Sequence, residues 1–138
     1  MDIGQAMRIV LDDTSDPLSR RAADDFLQSV CRLGCDEVLG PCVALLMSCD
    51  DEGVRLFAAH TIQASMRACV HKATARQRSH VSVSVEFWEE AFETLSSLSL
   101  RCGGKLGSQL ASTAATCALK RPSTDLQHFA HLEFVKAL

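Results

Sequence analysis

The stretch DDEGVRLFAAHTIQASMRACV, residues 50–70, decides the fold class of this chain. Val54, Phe57, Ala58, Thr61, Ile62, Ser65, Met66 and Cys69 recur at spacings of three and four. That spacing lays one continuous apolar and small stripe along about five turns of α-helix. Asp50, Asp51 and Glu52 stand at its start and Arg67 and Lys72 at its end, each sign where the helix dipole favours it. A helix apolar on one stripe must bury that stripe against neighbours. The rest of the chain has to supply them.

It does so with more helices. Ile3, Ala6, Met7, Val10 and Leu11 predict a short amphipathic helix. Asp16-Pro17 reads as an N-cap followed by proline at the first helical position. The helix it opens carries Leu18, Ala22, Phe26, Ser29 and Val30 on one side and stops near Gly34. Val38, Leu39, Cys42, Val43, Leu45, Leu46 and Met47 predict a third helix, with Pro41 tolerated near its start or at a bend. Beyond the central stretch, residues 71–84 lack helical periodicity and read as a basic loop. Val81, Val83 and Val85 alternate like a short strand, but nothing else in the chain offers it a partner. A helix from about Ser84 points Trp88, Ala91, Phe92, Leu95 and Leu98 inward and Glu86, Glu89, Glu90 and Glu93 mostly outward. Cys102-Gly103-Gly104 breaks it. Residues 105–119 carry Leu106, Leu110, Thr113, Ala114 and Cys117 on one face, with alanines that allow close approach, and Pro122 closes this helix. Thr124-Asp125-Leu126-Gln127 has the form of a capping box for a last helix bearing Phe129, Ala130, Phe134 and Ala137.

Seven helices joined by short loops predict an all-α fold of stacked antiparallel pairs, an α-solenoid. The last helix still runs at Leu138 without a pairing partner, so the chain reads as the N-terminal segment of something longer. Apolar surface around Phe129 and Phe134 would then be exposed, and self-association there is expected.

Composition narrows the function classes. With 47% apolar and 22% charged residues, the 138-residue chain can build one core and is not a disordered segment. No apolar run reaches the roughly 18 residues of a membrane span, and MDIGQAM carries no signal-peptide pattern. Seven cysteines at irregular spacing fit buried thiols in a reducing compartment better than a disulfide framework. The net charge of −3 is unevenly spread: residues 1–52 hold eleven acids and four bases, and residues 53–85 hold five bases and no acid. Helix-end charges and a solvated loop account for much of this, and a binding surface would look the same.

Enzymatic patterns fail on spacing. Gly104-Lys105 is followed by leucine, and Ser99 stands where a phosphate-binding loop needs its first glycine. Cys31 with Cys35, and Cys69 with His71, have no second pair at zinc-ligand spacing, so neither a metal nor any other cofactor is expected. A Cys–His nucleophile pair leaves no local signature, and buried cysteine is the plainer reading. The glutamates at 86, 89, 90 and 93 are spaced as a solvated helix face. Lys72, Arg76 and Arg78, with His71 and His80, offer phosphate contacts to RNA. That segment has no aromatic residue for base stacking, and binding through it would be weak and salt-sensitive.

The pattern DPLSRRAADDFLQSVCR, then an apolar helix, then DDEGVRLFAAHTIQASMR, resembles the N-terminal region of the importin-β superfamily of nuclear transport receptors (karyopherins). Those proteins open with a proline-marked helix of the form DP..R..A...L and continue with one of the form VR.FAA.TI, close to residues 54–62 here. The later GSQLASTAATCALKRPSTDLQHF is similar to the transportin-SR and importin-thirteen branch, and the likeness spans residues 3–135. The resemblance implies a right-handed superhelix of HEAT repeats, about three and a half of them here, with inner B helices near residues 17–32, 51–70 and 104–119. It implies binding of the small GTPase Ran in its GTP form on the inner helices, protein cargo further along, and FG nucleoporins in grooves between outer helices. Shuttling between cytoplasm and nucleus follows, with no catalysis. Carried over by position, the Ran-contact candidates are Arg55, Ala59, His60, Gln63 and Arg67 on one inner helix and Gln109 and Ser112 on the next. His60 stands where the family commonly has glutamine and Gln63 where lysine is common, which weakens the charged part of such a contact. Two other expectations stand beside this one: a HEAT or armadillo scaffold unrelated to transport, and an RNA-binding adaptor using residues 71–80.

Overall fold

Helix ends are set by a few short side chains. Asp2 Oδ1 accepts from the Gln5 backbone N–H at 2.8 Å while Gln5 Oε1 accepts from that of Asp2 at 3.0 Å, a reciprocal box opening α1 (Ile3–Leu11). Asp16 accepts from the Ser19 backbone N–H at 2.9 Å and Pro17 follows at the first helical position, which starts α2 (Pro17–Leu33) as expected. Gly34, at φ 129°, both ends α2 and precedes α3 (Cys35–Ser48), which runs through an exposed Pro41. Asp51 accepts from the Val54 N–H at 3.2 Å at the head of α4 (Glu52–Ala75). Ser84 caps α5 (Val85–Cys102) through Phe87, and the left-handed pair Gly103 (φ 64°) and Gly104 (φ 58°) turns the chain into α6 (Gly104–Ala118).

The computed structural model describes residues 1–75 and 84–119, and among them the chain is all-α, with six helices and no strand. Of the alternating valines, Val85 opens α5, in keeping with the absence of a partner strand, and Val81 and Val83 lie outside the described residues. The last helix expected from Thr124, with the self-associating surface around Phe129 and Phe134, also lies outside them.

Consecutive helices pair most closely, α1 with α2, α3 with α4 and α5 with α6, and α4 also packs along α6. One core runs through all six helices. Val54, Ala58, Ala59, Ile62 and Met66 of α4 are at most 1% exposed, because this helix is covered by α3 on one side and α6 on the other. Its apolar arc is therefore wider than the single stripe the spacing predicts, and Phe57 and Cys69 at the stripe's margin are only half-buried. In α5 the expected Trp88, Ala91, Leu95 and Leu98 are buried and the expected Phe92 is half-buried, with the Trp88 indole edge-on to Phe87 at 5.3 Å. In α6 all five expected core residues are buried, together with Gly107. A Cβ on Gly107 would lie 2.7 Å from the Ser99 carbonyl oxygen, so the missing side chain lets α5 and α6 touch backbone to backbone. Ser99 Oγ then donates to the Gly107 carbonyl at 2.7 Å.

Two expectations need correcting. In α2 the buried residues are Ala23 and Leu27, flanked by half-buried Phe26 and Val30, whereas Leu18, Ala22 and Ser29 are exposed. The stripe is 23, 26, 27, 30, rotated from the predicted one. And α4 continues to Ala75, so residues 71–75 are helical rather than loop. Nothing in Lys72, Ala73, Thr74 or Ala75 stops a helix: there is no glycine or proline among them.

Candidate functional site

On α4 and α6, four of the seven residues singled out from sequence come together. Gln109 Nε2 lies 3.3 Å from His60 Nδ1 and donates to Gln63 Oε1 at 3.4 Å. Gln63 Nε2 donates to Ser112 Oγ at 3.5 Å. The pairs His60–Gln109 and Gln63–Ser112 share one offset of 49 residues, so α4 and α6 run parallel and in register at this seam. Parallel neighbours from two successive antiparallel hairpins mean that α3/α4 and α5/α6 stand side by side in the same sense.

The seam is polar and open. His60 and Ser112 are exposed, Gln63 and Gln109 half-buried, and Arg67 is exposed one turn beyond Gln63 on the same face of α4. Hydrogen bonds of 3.3–3.5 Å between such groups are weak and easily exchanged for a partner's. The arrangement orders side chains without committing them.

Two candidates do not belong to this face. Ala59 is fully buried, taken up by the contact between α4 and its neighbours. Arg55 is half-buried and already engaged: its Nε donates to the Leu46 carbonyl at 3.3 Å and its Nη2 to Cys102 Sγ at 3.4 Å. It ties the end of α3 and the end of α5 to the first turns of α4. A cation holding a helix's last carbonyls is a structural tie.

Of the basic stretch, Lys72 belongs to the helical backbone of α4, and Arg76 and Arg78 lie outside the described residues. A second surface feature was not singled out from sequence. Met47 of α3 and Glu93, Thr94, Ser97, Leu98 and Arg101 of α5 line an open depression of about 340 Å³. Met47 is 62% exposed there, where the predicted helix had it facing inward.

None of the seven cysteines forms a disulfide. Burial pushes the Cys117 thiol up to about 11, and burial with the neighbouring Cys31 pushes Cys42 up to about 12. Both behave as small apolar core groups. Cys31 and Cys35 fall on different helices, α2 and α3. Among the described residues no group of three or more His, Cys, Asp or Glu side chains is arranged to hold a metal ion, and no helix is long and apolar enough to cross a membrane. No protein-family model matches the chain, and no match was found among the curated proteins or the solved structures.

Proposed function

We propose that this chain is the N-terminal segment of a HEAT-type α-solenoid, a nuclear transport receptor of the importin-β kind that binds Ran-GTP on its α4–α6 face. The single observation that carries the reading is the in-register polar seam His60, Gln63, Gln109 and Ser112 on two parallel helices. Helices that are second in their hairpins and parallel to each other are what an array of helical pairs places on one side. The residues that resemble the family's inner helices are the ones that form this seam.

The working surface is then His60, Gln63, Arg67, Gln109 and Ser112, without Ala59 and Arg55. It suits a protein partner: several weak, exchangeable amide contacts beside one exposed cation, with no aromatic stacking platform. The depression between the outer helices α3 and α5 is the counterpart for FG nucleoporins, its Met47 and Leu98 offering apolar contact to a phenylalanine side chain. Protein cargo binds further along the full receptor, which shuttles between cytoplasm and nucleus. Each repeat touches only its neighbours, so Ran-GTP at this end and cargo further on bias one curvature or another, and each changes the other's affinity equally. The chemistry is binding alone, with no catalytic step.

Pull-down of the chain, within its full receptor, with Ran loaded with GTP or with GDP tests this. Retention of the GTP form in clear preference is expected. Equal or absent retention leaves a helical scaffold unrelated to transport, and RNA retention that falls steeply with salt would move the function to residues 71–80.

A further inference from the structure

We propose that Cys35 and Cys69 are a hydroperoxide-sensitive thiol pair that closes to an intrachain disulfide. Cys35 is the first residue of α3, and Cys69 lies in the later turns of α4, brought alongside because the two helices are antiparallel partners. The Cys35 backbone N–H donates to Cys69 Sγ at 3.3 Å. Gly34, the N-cap of α3, supplies no side-chain cap, so the Cys69 sulfur fills that role from across the hairpin. There it meets the positive end of the α3 dipole, a setting that favours negative charge on sulfur. Asp36 and Glu37 share that first turn, both exposed, and the Asp36 charge adds to the upward push on the Cys35 thiol.

The two sulfurs have different tasks. A hydrogen bond with Cys69, together with burial, pushes the Cys35 thiol up. Cys35 is fully buried, whereas Cys69 is half-buried. A small hydroperoxide therefore meets Cys69 first. The Cys69 thiolate attacks one peroxide oxygen, an S–O bond forms, the O–O bond breaks, and the departing hydroxide takes up a proton to become water. The Cys35 sulfur then attacks the Cys69 sulfenic acid. An S–S bond forms, the S–O bond breaks, and the leaving hydroxide carries off the Cys35 proton as a second water. Two thiols lose two electrons, and one hydrogen peroxide becomes two waters. A dithiol reductant returns both electrons.

The bridge would join positions 34 apart in sequence and pin the end of the α3/α4 hairpin that lies away from its turn. It stands independently of the transport reading.

The test is oxidation of the reduced chain with hydrogen peroxide, followed by alkylation of the remaining thiols and peptide mass mapping. The expected result is loss of two thiols per chain and a Cys35–Cys69 linked peptide pair, independent of protein concentration. The urea midpoint should also rise, and a dithiol should reverse it. Cys69→Ser should abolish both the link and the early oxidation. Cys35→Ala should stall at a Cys69 sulfenic acid that dimedone traps. Cys102→Ser, which leaves the pair intact, should still form the link. Should Cys35→Ala fail to fold, the wild-type map decides alone. Oxidation first at Cys31, Cys49 or Cys102, or a two-thiol loss without the 35–69 link, overturns the proposal.

Discussion

Helices α2 and α6 are of similar length and are used in opposite ways. α2 has 17 residues, a strongly polar–apolar alternation and good caps, yet only Ala23 and Leu27 are buried. α6 has 15 residues, many of them Ala, Ser, Thr or Gly, and buries six. The difference lies in what each helix lets its neighbours do. Small side chains on α6 let α5 approach to backbone contact at Gly107 and let α4 lie along the other side. Leu18 and Leu33 of α2 are 81% and 69% exposed, since its main contact is the nine-residue α1. Contrast along a helix marks which face is apolar; bulk and partner length decide how much of it is covered.

Paired substitutions break this comparison if it is wrong. Leu110→Ala in α6 removes a fully buried side chain, and should cost about 3 kcal/mol of unfolding free energy in urea titrations. Leu18→Ala in α2 should change it by less than about 0.5 kcal/mol. Equal losses would mean that α2 is packed as tightly as α6. Gly107→Ala sharpens the point. Helix propensity alone predicts a gain of about 1 kcal/mol, but the added Cβ meets the Ser99 carbonyl, so a net loss of about 1 kcal/mol is expected from overpacking. A stabilised variant would show that the α5–α6 contact can yield.

The smallest effect belongs to α2's own start. Backbone and then side-chain hydrogen bonds from Ser19 hold the Asp16 carboxyl below its usual range, and the side-chain and then backbone hydrogen bonds from Thr14 do the same for Asp12. A carboxyl lowered on folding stabilises the fold above its unfolded pKa, and that contribution is lost as pH falls through the lower folded value. Stability should therefore decline slightly below about pH 4, the ordinary carboxylate range, and Asp16→Ala should flatten part of that decline. An acid profile identical in the variant would remove the cap from the account.

Much of this architecture is legible in the residues, and the exceptions have physical reasons. Asp16-Pro17, Gly34, Ser84 and Gly103-Gly104 mark helix ends because each supplies something local: an acceptor, a fixed φ or a positive φ. The inward faces of α5 and α6 follow from spacing alone, since bulky and small residues alternate cleanly there. The phase of α2 does not, because the predicted and observed stripes share Phe26 and Val30 and differ chiefly in one leucine, Leu18 against Leu27. Ala59 lies opposite the single stripe that the spacing gives, yet it is fully buried, because α4 has neighbours on more than one side.

The candidate site divides the same way. Gln63 with Gln109 and Ser112 are candidates from two separate helices, and the structure joins them. Arg55 was named beside them, but its partners are a main-chain carbonyl at Leu46 and a sulfur at Cys102, which leave no trace in spacing. The Cys35–Cys69 contact was hidden for a like reason: it depends on how α3 lies against α4.

On the proposed reading, the polar α4–α6 seam binds Ran-GTP, while Arg55, near one end of it, holds helices together. The direct measurement is Ran-GTP affinity and urea unfolding, side by side, for Gln63→Ala/Arg67→Ala/Gln109→Ala and for Arg55→Ala. The triple variant should lose affinity at least about tenfold, roughly 1.4 kcal/mol, with an unchanged unfolding midpoint. Arg55→Ala should instead lower the midpoint, by about 1 kcal/mol in stability. Undiminished Ran-GTP binding by the folded triple variant would contradict the claim.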